Sequence, residues 1–345
     1  MIKVKKHGII LKPTRRYFEN KAVYNPGVLQ DGETVYIVYR ALNKNNVSYL
    51  GYAKLKGPTT LVERWQTPFM SPQYNHDKAG IEDPRIVKIK DTIYLTYMVH
   101  DGQNVLVAYS YGKDLLSLKR GGIISPQFSY DVAGKLFNYS KLKDKYYFFK
   151  SYYKDTVGRS VKLWDKDAFL FPKKIKGKYA LIHRILPDIQ VIYFSNFKQL
   201  KERNYWKNHI KRLSKYVILE NKHWFEARNV GGGCPPIKTK HGWLLIYHGV
   251  EPMNKGRVYH AAIALLDLKN PTKVIARPPY PLFSPTINWE KEDNVHDVVF
   301  PTGTAIFKKR LYIYYGAADK YVAAASINLK DLIKELLKHR EKKNK

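Results

Sequence analysis

Four short polar clusters in the sequence carry residue types that could do chemistry. Each borders a predicted strand, and polar residues at strand ends often form binding sites. A carboxylate such as Asp83 can exchange a proton with a ligand, and a neighbouring cation can bind an anion. The clusters are residues 24–27 (Tyr-Asn-Pro-Gly), 80–85 (Gly-Ile-Glu-Asp-Pro-Arg), 231–236 (Gly-Gly-Gly-Cys-Pro-Pro) and 298–303 (Val-Val-Phe-Pro-Thr-Gly).

Each cluster also has a purely structural interpretation. An acid-Pro-Arg sequence before a strand, as at Asp83, is typical of a turn closed by a salt bridge. The triple glycine at 231–233 lacks the Gly-Lys-Ser/Thr of a phosphate loop and runs into two prolines, so it predicts a tight loop with close backbone approach. His248 is equally typical of a core histidine, since the sequence has no His-Glu-x-x-His metal motif. Local sequence alone leaves both interpretations of Asp83 open.

The elements that must position these clusters are short strands with alternating aromatic residues, each entered through a polar turn. Their recurrence at roughly 30 to 70 residues is typical of propeller blades, and sparse helices argue against a parallel α/β sheet. We therefore predict an all-β fold of four-stranded sheets around an axis, as a single domain over residues 1–345. The predicted strands are 33–40, 91–97, 144–149, 177–184, 241–248 and 309–316, with following partners at 48–55, 104–110, 189–195 and 257–266.

Two helices are predicted. A C-terminal helix over about 328–340 has an apolar stripe, and Asn328 suits its N-cap. A basic segment at about 196–216 predicts a helical insertion, serving as a lid or a docking surface. Within residues 196–228, nine Lys or Arg stand against three acids.

The formal net charge is +32, from 61 Lys and Arg against 29 Asp and Glu. Such an excess raises nucleic acid as a partner, but it is mostly lysine spread along the chain, which favours a lysine-rich surface instead. The single cysteine, Cys234, excludes an internal disulfide framework, and no metal site is expected. No apolar run approaches the ~20 residues of a membrane span, and the N-terminus lacks signal-peptide features. We predict a cytoplasmic protein and a homo-oligomer, with residues 196–228 and the C-terminal helix as the expected contact surfaces.

Together, the clusters resemble glycoside hydrolase family 130, the β-mannoside phosphorylases and related β-mannosidases. The resemblance runs from about Tyr24 to about Ala325, and it implies a five-bladed β-propeller with its site at the axis. Six predicted strand motifs exceed five blades by one, so residues 144–153 are interpreted as an extra hairpin within a blade. The most specific matching segments are 80–86, 166–172 (Lys-Asp-Ala-Phe-Leu-Phe-Pro), 235–239 with 242–250, and 314–319.

The resemblance also implies roles for individual residues. Asp83 becomes the sole catalytic acid. Family members with β-1,4 specificity carry an Arg-Asn pair where this chain has Leu163-Trp164, which puts phosphate use in question or marks the β-1,2 branch. The implied substrate-binding residues are Asn25, Arg40, Glu82, Arg85 and Asp319, with Glu82 and Arg85 shaping the surroundings of the acid, and the implied phosphate-binding residues are Lys174, His248, Arg184 and Arg228.

The implied reaction is inverting phosphorolysis of β-mannosides, with β-1,2 linkage favoured, giving α-mannose 1-phosphate. An inverting glycosidase needs a second carboxylate to activate water, whereas phosphate is already an anionic nucleophile. No cofactor is expected, and inorganic phosphate is a co-substrate. The alternatives are a β-mannoside hydrolase, a biosynthetic mannosyltransferase using mannose 1-phosphate, and a non-enzymatic basic propeller that binds glycans or polyanions.

Overall fold

A computed structural model describes residues 3–291 and 296–341. Strands are the most common regular element among these residues, as the many Tyr, Val and Ile residues favour. The strands are β1 (Lys5–Leu11), β2 (Ala22–Asp31), β3 (Thr34–Leu42), β4 (Ser48–Lys56), β5 (Thr60–Arg64), β6 (Gly80–Ile89), β7 (Thr92–His100), β8 (Val105–Gly112), β9 (Lys119–Ile123), β10 (Lys166–Leu170), β11 (Tyr179–Arg184), β12 (Ile189–Phe194), β13 (Val217–Leu219), β14 (Asn229–Gly232), β15 (Ile237–Lys238), β16 (Trp243–Pro252), β17 (Arg257–Leu266), β18 (Val274–Ala276), β19 (His296–Phe307), β20 (Arg310–Ala317) and β21 (Tyr321–Asn328). The α-helices are α1 (Tyr130–Phe137), α2 (Asp144–Val157), α3 (Arg203–Ile210) and α4 (Leu329–Leu336).

The strands pair antiparallel in five sets of four. The sets are β2-β3-β4-β5, β6-β7-β8-β9, β10-β11-β12-β13, β14-β16-β17-β18 with β15 beside β16, and β19-β20-β21-β1. Parallel pairing of β4 with β6 and of β17 with β19 joins neighbouring sets. The fifth set is completed by β1, so the first and last strands of the fold lie side by side. The fold is therefore all-β with a short C-terminal helix, as predicted.

A buried carboxylate recurs just before the first strand of each set. In the first set, Glu19 accepts hydrogen bonds from the Tyr39 hydroxyl at 2.6 Å and from Arg64 at 2.7 Å. Tyr39 lies on the second strand and Arg64 on the fourth, so the carboxylate ties three parts of the set together. The corresponding acids are Asp77 with Arg120, Asp165 with His183, Glu226 with Tyr247 and Arg277, and Glu290 with Tyr315 and Lys6.

One predicted strand was wrong. Residues 144–149 are the start of helix α2, not a strand, and residues 144–153 are not a hairpin. Tyr146, Phe149 and Tyr153 are buried on one side of this helix, at the spacing of three and four residues that a helix requires. Without this motif, five predicted strand motifs remain, and each is the second strand of one set.

The two predicted helical regions are present in shorter form. Asn328 caps α4 by accepting from the backbone of Lys330 and Asp331, and a 3₁₀ turn at Leu337–His339 follows. The basic segment contains α3 with 3₁₀ turns on either side. Helix α1, like α2, was not predicted. Among the described residues, every helix is too short or too polar to cross a membrane.

Candidate active site

The first strands of several sets converge on a small polar pocket of about 160 Å³. This volume is below the range of drug-sized ligand sites and suits a small polar group such as one sugar ring. Five of the predicted site residues lie in its wall. The lining residues are Asn25, Arg40, Asp83, Lys166, Asp167, Arg184, Tyr259, Val298, Phe300 and Asp319.

Four of the lining residues have left-handed backbone conformations. The φ angles are +48° at Asn25, +49° at Asp83, +52° at Asp167 and +48° at Asp319. In β2, β6 and β10 these residues lie at register shifts, where an extra residue bulges from the strand. Asn and Asp tolerate this conformation better than other side chains with a Cβ, and bulges redirect side chains next to active sites. The same local device thus turns three polar side chains into the pocket.

Asp83 is held by an amide and a cation. The Asn25 side-chain amide donates to Oδ1 at 2.8 Å, and an Arg40 nitrogen lies 3.6 Å from the same oxygen. Burial alone would raise the pKa of Asp83, but the charges of Arg40 and Arg85 and the amide hydrogen bond outweigh it and lower the pKa below its ordinary value. In the ligand-free protein Asp83 is therefore ionised at neutral pH.

Two residues predicted to bind substrate lie behind the pocket wall instead. Glu82 accepts from Arg40 at 2.6 Å and so orients that guanidinium. Arg85 is buried, and it donates to the carbonyl of Gly233 at 2.6 Å and to that of Asp83 at 3.0 Å. Glu82 and Arg85 support the acid and Arg40, which fits the expectation that they shape its surroundings and gives no support to direct substrate contact.

A second carboxylate, Asp167, lies in the same pocket. Its Oδ2 is 3.1 Å from Arg184 and 3.8 Å from His248, and neither contact has hydrogen-bond geometry. Burial raises the pKa of Asp167, and the negative charge of Asp83 adds to this, against the opposing charges of Arg184, Arg85 and Lys166. The pocket therefore contains two carboxylates whose pKa values are shifted in opposite directions.

The triple glycine provides the space that Asp167 and His248 occupy. A Cβ on Gly231 would lie 2.3 Å from the His248 ring and 2.5 Å from Asp167 Oδ2. The predicted close backbone approach is present, although Gly231 and Gly232 belong to strand β14 and not to a loop.

Of the four residues predicted to bind phosphate, only one lines the pocket among the described residues. Arg184 lines the pocket. His248 is fully buried behind Asp167; both its ring nitrogens lack a hydrogen-bond partner among the described residues, so it is not the satisfied core histidine of the alternative interpretation. Burial lowers the pKa of His248 well below its ordinary value, so the ring is neutral. A neutral ring can donate one hydrogen bond, but it adds no charge for phosphate.

Lys174 and Arg228 are outside the pocket wall. Lys174 is exposed, and its Nζ lies 4.3 Å from the centre of the Tyr179 ring. Arg228 packs over the Phe149 ring and donates to Asn229 at 2.5 Å. The position of Lys174 contradicts its predicted place at this site, because it lies beyond the outer end of β10 whereas the pocket is at the start of that strand.

Five lining residues, Val298 in the fourth polar cluster among them, were not among the predicted site residues. Lys166 and Asp167 stand in the segment 166–172, which was recognised as specific to the family, so that segment was a usable signal. Phe300 lies in the fourth polar cluster. Nothing in the sequence around Tyr259 distinguishes it from other strand tyrosines. No group of three or more His, Cys, Asp or Glu able to hold a metal occurs in the described parts of the chain.

Comparison with known proteins places the chain among mannoside-acting enzymes. The sequence model described as beta-1,4-mannooligosaccharide phosphorylase, that of glycoside hydrolase family 130, matches residues 7–338. The chain belongs to glycoside hydrolase family 130. It is thus a relative of enzymes that cleave glycosides with phosphate, as the resemblance implied.

Two curated relatives match nearly end to end. A 1,2-beta-oligomannan phosphorylase of Thermoanaerobacter sp. (strain X514) is 31% identical over 96% of this chain and 99% of its own length. A beta-1,2-mannobiose phosphorylase of the same organism is 32% identical over 92% of this chain and 94% of its own length.

Solved structures show the same fold. A beta-1,2-mannobiose phosphorylase from Listeria innocua superposes with a TM-score of 0.72 at 22% identity, over 97% of this chain and 99% of that one. A second structure superposes with a TM-score of 0.73 at 20% identity, over 95% of this chain and 94% of that one. It is described with family 130 hydrolases that target beta-1,2 mannosidic linkages in Candida mannan. Both reactions therefore occur on this fold.

Proposed function

We propose that this protein is a glycoside phosphorylase that cleaves β-1,2-linked mannosides with inorganic phosphate and releases α-mannose 1-phosphate. The observation that carries the proposal is the joint presence, in one small pocket, of the acid Asp83 and the two cations Lys166 and Arg184. Cations at this position suit a phosphate nucleophile. The two near full-length relatives that act on β-1,2-linked mannosides support the linkage.

The reaction needs one proton and one nucleophile. An oxygen of phosphate, held by Lys166 and Arg184, attacks C1 of the mannosyl unit from the face opposite the leaving oxygen. The C1–O glycosidic bond breaks, its electrons remain on the leaving oxygen, and a proton that originates on Asp83 neutralises that oxygen. Attack from the opposite face inverts the configuration, so a β-mannoside gives an α-phosphate.

The mannosyl unit is held by the remaining polar residues of the pocket. Asn25, Arg40 and Asp319 supply an amide, a guanidinium and a carboxylate, which together can donate to and accept from sugar hydroxyls. Because Arg40 is already fixed by Glu82 and Ser48, little conformational entropy is lost when sugar binds.

Hydrolysis is the competing reaction. A hydrolase needs a second carboxylate as base. Besides Asp83, the lining among the described residues contains Asp167 and Asp319 and no glutamate, and Asp319 interacts with the charge of Arg40. Asp167 faces Arg184 at 3.1 Å, which ties it to a cation where phosphate would bind. This arrangement favours phosphorolysis. Biosynthesis of mannosides from mannose 1-phosphate would use the same site in reverse.

The fold proposed for this enzyme is a five-bladed β-propeller, with one set of four strands as each blade. Five antiparallel sets, one buried carboxylate before the first strand of each, and a pocket built from several first strands all support it. Strand β1 then closes the last blade.

The proposed substrate is tested by supplying phosphate with either β-1,2-mannobiose or β-1,4-mannobiose and measuring mannose 1-phosphate. We expect release from the β-1,2 isomer at a rate well above that from the β-1,4 isomer. A preference for the β-1,4 isomer would contradict the proposed linkage and leave phosphorolysis intact. Failure of both isomers to give sugar phosphate would contradict the proposed reaction.

A further inference from the structure

In four of the five sets the buried acid contacts a Lys or Arg, and in three of these it also contacts a tyrosine. The third set differs. Its acid, Asp165, faces His183 at 3.0 Å, where three other sets have a tyrosine, and His183 Nε2 lies 3.2 Å from His209 Nε2. His209 comes from α3 in the basic insertion and takes the place of the cation. Burial, with the charges of His183 and Arg212 adding to it, lowers the pKa of His209 well below its ordinary value. His209 is therefore neutral, and it does not supply the positive charge that a Lys or Arg supplies in the other sets.

An open cleft of about 560 Å³ lies above His209. Four cationic side chains line it: Lys176, Lys178, Arg212 and Lys269. They come from three separate segments: the turn before β11, the insertion and the loop after β17. The lining contains no acidic residue, and no ion pair is formed by any of the four among the described residues. The charge of this cleft is therefore available to an external anion.

The same cleft has a rigid aromatic wall. The rings of His209 and Tyr216 are 4.7 Å apart, and those of Tyr193 and Tyr216 are 6.5 Å apart. Tyr205 donates to the Tyr193 carbonyl at 2.5 Å, which fixes α3 against β12. Aromatic faces with a few convergent polar groups are typical of small-molecule sites, and this volume falls within their usual range.

We propose that this cleft binds a phosphorylated monosaccharide, with the phosphate on the lysines and Arg212 and the sugar ring against the tyrosines. Clustered cations recognise a phosphate group, and Arg can bind it through two parallel hydrogen bonds. The choice of a sugar as the ring rests on the proposed function, since that reaction makes a sugar phosphate. The cleft shares no lining residue with the catalytic pocket, so it is a second site on the same chain.

Isothermal titration calorimetry with α-mannose 1-phosphate tests this, using the full-length protein. The wild type should show two binding events per chain. Lys178→Ala with Arg212→Ala should remove or weaken one event at least about tenfold, the effect of losing charge-assisted hydrogen bonds, and leave the other unchanged. Lys211→Ala with Lys215→Ala is the matched control, because it removes two charges from the same basic segment outside the cleft. It should change neither event.

Two results would overturn the proposal: an isotherm with no event that the cleft variant weakens, or equal weakening by the control pair. Adenosine monophosphate and inorganic phosphate are the comparison probes. If either binds the cleft, measured as an event that the cleft variant weakens, as tightly as the sugar phosphate does, the sugar assignment is contradicted. Thermal unfolding and initial rates of phosphorolysis should match the wild type in both double variants. If phosphorolysis itself is absent from the wild type while the cleft event persists, the proposed function fails and the cleft site stands.

Discussion

Asp83 must carry a proton to act as the acid, yet its surroundings lower its pKa in the ligand-free protein. Bound phosphate can resolve this conflict. Its negative charge beside Lys166 and Arg184 offsets the cations that stabilise ionised Asp83, so phosphate binding should raise the pKa of the acid. The co-substrate would then help to protonate the residue that completes its own reaction.

This coupling predicts a phosphate-dependent pH profile. Activity that requires protonated Asp83 is lost as pH rises through its pKa, so the alkaline limb reports that pKa. We expect the limb of kcat/KM for the mannoside to lie at lower pH when phosphate is scarce and at higher pH when it is saturating. Initial rates from pH 4 to pH 9 at constant ionic strength would measure it. A limb at the same pH under both conditions would contradict the coupling.

The roles of Asp83 and Asp167 can be separated by substitution. Asp83→Asn keeps the shape but removes the proton, and we expect kcat to fall by about 10² to 10⁴, the usual contribution of a general acid. Asp167→Asn should mainly raise the KM for phosphate, because it releases Arg184 from its partner. Steady-state kinetics of both variants measure these effects. A larger loss of kcat in the Asp167 variant than in the Asp83 variant would contradict the assignment of Asp83 as the acid.

At the residue scale, more of the residues predicted as acid or sugar-binding line the pocket than of those predicted to bind phosphate. Asn25, Arg40, Asp83, Arg184 and Asp319 all line one pocket. Lys174 lies outside the pocket, which the sequence did not reveal because a motif does not show how far along a strand a residue lies from the site. Eight residues of extended chain can separate it from Lys166 by up to about 26 Å.

At the scale of elements, the site depends on strands that bulge and on strand β14, half of whose residues are glycines. Gly231 lets β14 approach Asp167 and His248, since a Cβ there would overlap both. We expect Gly231→Ala to reduce the free energy of unfolding by about 1–3 kcal/mol, the cost of overpacking, and to reduce activity as Asp167 moves. Urea denaturation and initial rates measure the two effects.

Gly57→Ala is the control for that variant. Gly57 has a left-handed φ of +64° with no atom near its Cβ position. The substitution should cost about 1–2 kcal/mol from backbone strain alone and leave activity unchanged. If Gly231→Ala kept full activity, the close approach of β14 would be irrelevant to the site.

The buried carboxylates are also a property of elements. Replacing Glu226 by Gln leaves Arg277 buried beside a neutral group, and breaking such a pair costs about 3–5 kcal/mol. Glu63→Gln, at an exposed position on β5, should cost almost nothing. Chemical denaturation of both variants tests this, and equal stability would mean that the carboxylate clusters do not hold the sets together.

Strand prediction succeeded where aromatic and aliphatic residues alternate, as in β3, β7 and β20, because alternation has the period of a strand. It failed at Tyr146-Tyr147-Phe148-Phe149, a continuous aromatic run without alternation. There, burial at Tyr146, Phe149 and Tyr153 shows the helical period only once the structure identifies the buried side. The left-handed bulges at Asn25 and Asp83 had no separate sequence signal beyond the residue types themselves.

At the scale of the whole molecule, strand β1 near the start of the chain completes the set formed by the last strands. Strand β1 pairs with β21, and Lys6 lies 2.5 Å from buried Glu290. Deleting residues 1–11 should expose the edge of β21 and leave Glu290 without its cation, so we expect a thermal midpoint many degrees lower. Lys5→Ala, at an exposed position of the same strand, is the control. An unchanged midpoint in the deletion would contradict the closure of the last set by β1.

The net charge of +32 is a property of the whole molecule, and the cleft above His209 is one place on the described surface where four cations gather without an acidic residue in the lining. A cytoplasmic location, a homo-oligomer and the view that nucleic acid is not a partner stay predictions of the sequence.

Phosphate dependence is the most direct test of phosphorolysis. Initial rates of β-1,2-mannobiose cleavage are measured from zero to saturating phosphate, with the products followed by proton and phosphorus NMR. We predict no cleavage without phosphate, saturation as phosphate rises, and α-mannose 1-phosphate formed in equal amount to free mannose. Mannose release at the same rate without phosphate, with no sugar phosphate, would contradict the account and identify a hydrolase.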